Sequence, residues 1–172
     1  MSEKDSAKVP AHFLGGPPRE VVPSNPSDVC ELSAIITALY ESISGPAGQP
    51  RDWQRFRSLF LPEALSVRVA SLPDNRTGYL AMNTAEYIAQ TDAWLVQNGF
   101  FETEIHQVVE RYRDIAHVFS TYESRHSLDE PHPFMRGLNS FHLLYDGHRW
   151  WIAHAIWQHE SSDHPIPARF LP

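Results

Sequence analysis

From Phe100 onward the apolar residues recur every second position through four long runs, at about 100–111, 115–126, 136–145 and 149–159. A two-residue period puts alternate side chains on opposite faces, so these runs fit only strands of a sheet with one face covered. Asp146-Gly147 separates the last two and is the dipeptide that a two-residue hairpin demands. Asp114 marks a second turn, and Asp129 to Pro133 a longer loop.

The residues before this block have a helical spacing. Val29, Leu32, Ile35/Ile36, Leu39/Tyr40 and Ile43 predict a helix over 28–43, with Asp28 and Glu31 as its capping box. Ser44 to Pro50 breaks it, and 51–60 gives a short second helix carrying Trp53, Phe56 and Leu59/Phe60. Leu65, Val67 and Val69 alternate with polar residues as in a half-buried strand, ahead of a Pro73-Asp74-Asn75 turn. A third helix opens on Asn83 with Glu86, carries Tyr87/Ile88 and Trp94/Leu95, and stops at Asn98-Gly99.

Helices followed by long antiparallel strands is an α+β order in which the helices cover one face of the sheet. Residues 27–160 are one domain on this reading, with a flexible Pro-rich arm at 1–26 and a C-terminal tail at 161–172. At 172 residues one core suffices. The segments LYESISGP, DWQRFRSLF, AHVFSTYESR and RGLNSFHLLYDGHRWWIAHAIWQHE resemble the SnoaL-like branch of the nuclear transport factor 2-like superfamily. That resemblance implies a cone-shaped barrel, a bent antiparallel sheet wrapped around two or three helices and enclosing a small-molecule-sized cavity. It does not choose between the enzymes and the binding modules that share this fold.

A net charge of −7 with no basic run opposes a phosphate backbone, so nucleic acid is not an expected partner. No apolar run approaches the ~20 residues of a membrane span, and the charged start lacks a signal-peptide core, so the chain is expected in the cytoplasm. Cys30 is the lone cysteine, and its apolar helical setting predicts a buried, inert thiol. The ten histidines include no HExxH and no helical i,i+4 pair beside cysteines, so no metal centre is expected. No phosphate cradle or dinucleotide fingerprint occurs, and no cofactor is expected.

Pairing the last two strands around a two-residue loop sets Asn139 against His154 and Phe141 against Ile152. Asn139 and His154 then become the polar exceptions on the apolar, helix-facing side. Pairing 100–111 with 115–126 around Arg113-Asp114 puts Gln107, Ser120 and Tyr122 inside, and Glu102, Glu104, His106, Glu123 and Arg125 outside. The outer charges are expected to form cross-strand pairs such as Glu102 with Arg125. A one-residue bulge would reverse every face beyond it.

The expected cavity is therefore lined by Tyr40, Trp53, Phe56, Tyr87, Trp94, Gln107 and Phe141 for a small hydrophobic or aromatic molecule. Its candidate catalytic group is His154, oriented by Asn139 and assisted by Tyr122. A lyase, isomerase or cyclase working by proton transfer is one function of such a pocket. A non-catalytic ligand-binding or dimerisation module is the other, and what separates them is the buried carboxylate that the expected inner face lacks. Leu138, Trp151 and Trp157 on the outer face, among Arg136, His142 and Arg149, predict a homodimer through that face.

Overall fold

The computed structural model describes residues 21–72 and 76–172; the Pro73-Asp74-Asn75 turn and most of the arm at 1–26 lie outside them. The helical half consists of α1 (Pro26–Val29), α2 (Leu32–Ile43), α3 (Trp53–Leu59) and α4 (Thr84–Asn98). The strands are β1 (Phe60–Ser71), β2 (Thr77–Met82), β3 (Phe101–Tyr112), β4 (Ile115–Arg125), β5 (Met135–Tyr145) and β6 (Trp150–His159). They form one curled sheet in the order β2-β1-β6-β5-β4-β3, the cone expected for this chain. Every neighbouring pair is antiparallel but one, since β1 runs parallel to β6.

The first helix is divided where one was expected. Asn25, not Asp28, caps α1, accepting from Ser27 N at 3.3 Å. Asp28 is buried instead and takes two hydrogen bonds from Arg55, at 2.8 and 3.0 Å, so its carboxylate is not free to cap. The chain turns at Cys30 before α2, and Cys30 is exposed, against the expectation of a buried thiol. α4 follows the sequence closely: Asn83 and Glu86 form the capping box, and Gly99 leaves the helix at φ 70°. β2 had no forecast, because its residues are mostly exposed on an edge and only Met82 is buried.

The turn at Asp146 spans four residues rather than two. Asp146 Oδ1 accepts from the backbone N–H of both His148 and Arg149 at 2.9 Å, Gly147 takes φ 94°, and Tyr145 pairs with Trp150. Lengthening a loop by two preserves the parity of the strands. A bulge does not; one lies in β6 and one in β3, and the register of β1 against β6 also shifts between Phe60 and Leu65. Ala153 is left over between the pairs Leu143↔Ile152 and His142↔His154, and Ile105 between His106↔Thr121 and Glu104↔Tyr122.

Ile35, Ile36, Leu39, Phe56, Leu59, Val118, Phe141 and Ile152 are buried between the helices and the concave face. The segment after β6 turns back over the convex face. There the Phe170 ring packs at a tilt 4.7 Å from that of Phe119, and the Phe170 carbonyl accepts from Thr121 Oγ1 at 2.5 Å.

Candidate functional site

Between the helices and the concave face lies a cavity of about 550 Å³. Its floor is set by the two bulges. Beyond Ile105 the alternation of β3 reverses, so Glu102 and Glu104 turn inward opposite Ser124 and Tyr122. Beyond Ala153 the alternation of β6 reverses too, which brings Ala155, Trp157 and His159 to the cavity and sends His154 to the outer face beside His142.

This geometry corrects the expected pairings and, with them, the outward placement of Trp157. His154 does not meet Asn139; Trp157 does, and the His154 ring lies 6.5 Å from that of His142. Glu102 does not pair with Arg125, which bonds Glu123 at 2.9 Å. Of the other residues singled out, Phe56, Tyr87, Trp94, Tyr122, Asn139 and Phe141 line the cavity. Tyr40 stands behind Asn139, buried, and Trp53 lies behind Phe56, its indole N–H donating to Asp92 at 2.7 Å. Gln107 is away from the cavity and donates to Glu104 at 2.9 Å.

Sequence reasoning missed Glu102. Its carboxylate accepts from Ser124 Oγ at 3.1 Å, and its backbone N–H donates to Ser44 Oγ at 3.0 Å. Burial pushes the carboxyl up to about 8, with Ser124 and Asn139 opposing that rise by hydrogen bonding its charged form. One signal was available: Ser120 and Ser124 fall on the inner face of β4, and hydroxyls buried in an apolar core need acceptors. Those acceptors are the two glutamates that simple alternation sends outward.

A chain of hydrogen bonds joins them. Asn139 Nδ2 donates to the Tyr40 hydroxyl at 2.9 Å, which is 2.6 Å from Ser120 Oγ, and Ser120 in turn donates to Glu104. Tyr40 is spent as donor and acceptor within this chain, which holds the Asn139 amide in place. Burial raises Glu104 and, together with the neighbouring Glu102, raises Tyr40, Tyr87 and Tyr122, so these phenols stay protonated. Tyr122 owes its position to Gly137. A Cβ there would stand 2.5 Å from Tyr122 Cζ and 2.9 Å from the Gln158 carbonyl oxygen.

The opposite wall is aromatic. Tyr87 stacks on Phe56 at 5.1 Å and meets Trp157 edge-on at 6.0 Å. The exposed members of the lining, Arg68, Leu80, Gln90, Trp94 and Phe134, mark the mouth. His159 is held below the usual histidine range by burial and by Arg68. Among the described residues no group of histidine, cysteine and acidic side chains is arranged to hold a metal ion, and no helix is long and apolar enough to cross a membrane.

No family model matches the sequence, and no curated protein matches it. Solved structures do. A protein of unknown function with a cystatin-like fold from Nostoc punctiforme superimposes with a TM-score of 0.58 at 9% identity, covering 77% of this chain and 91% of its own. A nuclear transport factor 2-like protein of unknown function from Silicibacter pomeroyi gives 0.50 at 17% identity, covering 76% and 94%. A proposed ketosteroid isomerase from Parabacteroides distasonis gives 0.50 at 13% identity, covering 75% and 87%. At such identities the likeness is one of fold.

Proposed function

We propose that this chain, which has the nuclear transport factor 2-like, cystatin-like fold, is an acid–base catalyst of the lyase or isomerase type for a small, largely apolar or aromatic molecule. The observation that carries the reading is the carboxyl of Glu102, on the cavity floor and pushed up to about 8. A carboxyl poised there is largely protonated at neutral pH and can both give and take a proton with little driving-force penalty. Tyr122 and Tyr87, held as neutral phenols, supply hydrogen bonds to an oxygen that gains negative charge. His159, held neutral, is a second proton acceptor. The solved structure described as a proposed ketosteroid isomerase shares the fold, which is compatible with this chemistry but does not select it.

The test uses 1-phenyl-2-propanone, whose benzylic protons lie beside a carbonyl. In deuterated buffer the protein should accelerate exchange of those protons, and Glu102→Gln should remove on the order of a hundredfold or more of that acceleration. The carboxyl carbon of Glu102, followed by NMR, should titrate near pH 8. The second reading, a non-catalytic binding pocket, is favoured by the bonds that already satisfy Glu102 from Ser124 and Asn139. It predicts ligand binding with no exchange and no effect of Glu102→Gln on any rate.

A further inference from the structure

The mouth of the cavity is chemically unlike its floor. Arg68, on β1, projects there, and its charge is felt by Tyr122 and His159, both of which it pushes toward their deprotonated forms. Among the described residues no carboxylate forms an ion pair with Arg68. The acidic side chain that shares the cavity is Glu102, which is largely uncharged at neutral pH. The cavity therefore presents one permanent charge, a guanidinium, above an apolar and aromatic chamber. Trp157 pairs with Arg68 across the parallel strands and meets Tyr87 edge-on, so the cation and the aromatic wall adjoin.

We infer that the cavity takes an aromatic or apolar molecule bearing a carboxylate, with Arg68 gripping the carboxylate at the mouth while the rest of the molecule extends over Trp157 and Tyr87 toward Glu102. A guanidinium suits this role because its planar fork gives two parallel N–H donors to one carboxylate. The inference rests on the small-molecule cavity of the proposed function and names the class of its ligand.

Binding of two probes tests it: 3-phenylpropanoate and its uncharged isostere 3-phenylpropanamide, each titrated into the full chain by calorimetry or NMR. The acid should bind about tenfold or more tightly than the amide, and added salt should weaken only the acid. Arg68→Met should abolish the preference by weakening the acid far more than the amide, and Arg68→Lys should keep part of it. Arg68 is exposed, so neither change should disturb folding, which the melting temperature checks. Equal binding of acid and amide overturns the inference, as does a preference that survives Arg68→Met or a failure of the acid to bind at millimolar concentration. Binding needs no turnover, so the two proposals fail separately. A preference for the acid without ketone exchange leaves this inference standing and removes the catalyst; exchange that depends on Glu102 with no preference does the reverse.

Discussion

A carboxyl held at about 8, against an ordinary 4.5, works against the fold as well as for the chemistry. Its raised value means that the unfolded chain releases the proton first. Between pH 4.5 and about 8 the folded state binds more protons than the unfolded state, so this group's contribution to stability is largest below pH 4.5 and is lost as the pH rises to about 8. The loss is on the order of a few kcal/mol. Glu102→Gln has nearly the same shape, keeps an acceptor for Ser124, and cannot ionise. We expect it to melt higher than the natural chain at pH 9, by roughly 5 °C, with no advantage at pH 4. Melting curves at the two pH values check this; an equal shift at both would mean that packing rather than ionisation dominates.

At the scale of elements, the faces of β3 and β6 are decided by two residues left out of the ladder, Ile105 and Ala153. Period two, the Asp146-Gly147 turn and the Asn83–Glu86 cap are local signals, so α3, α4 and four of the strands could be read from sequence within a residue or two, but not the break at Cys30 that divides the first helix. The bulges at Ile105 and Ala153 could not, because each depends on how two strands twist against one another and not on the composition of either. They explain why His154 was expected inside and Glu102 outside, while Tyr122, Asn139 and Phe141, which lie between a turn and the nearest bulge or on an unbulged strand, were placed on the correct face. The bulge also makes a forecast opposite to intuition. Deleting Ile105 should not turn Glu102 outward, since His106↔Thr121 and Glu104↔Tyr122 then become consecutive pairs of a regular ladder. The deletion variant should fold, and its Glu102 carboxyl should still titrate near pH 8. A value in the ordinary carboxylate range would show that the outer half of β3 had slipped instead.

For the whole molecule, what remains is the convex face, which among the described residues none of α1 to α4 covers. The C-terminal segment covers part of it through Phe170, and Trp151 is buried there, its indole N–H bonded to Asp146 at 2.7 Å and Arg149 stacked 3.7 Å over its ring. Trp157, expected as an anchor of a dimer, faces the cavity and drops out of that role. The parallel β1–β6 pair supplies a replacement. Leu65 and Ile156 are 41% and 37% exposed on the convex side, and Val67 pairs with Ile156 between them, where a sheet face turned to water would carry polar residues. Leu65, Val67 and Val69 are the apolar half of the β1 alternation, and they point outward, while Ala64, Ser66 and Arg68 point to the helices and cavity. A second copy of this chain is the occupant we propose for the stripe, because two such faces related by a twofold axis cover one another's apolar residues. The natural chain should sediment at twice its 19.7 kDa mass at micromolar concentration. Ile156→Glu, which places a carboxylate in the middle of the stripe and touches nothing in the cavity, should sediment as the single chain while still binding 3-phenylpropanoate. A natural chain that sediments only as the single species removes the dimer, and a variant that dimerises like the natural chain moves the contact off this stripe.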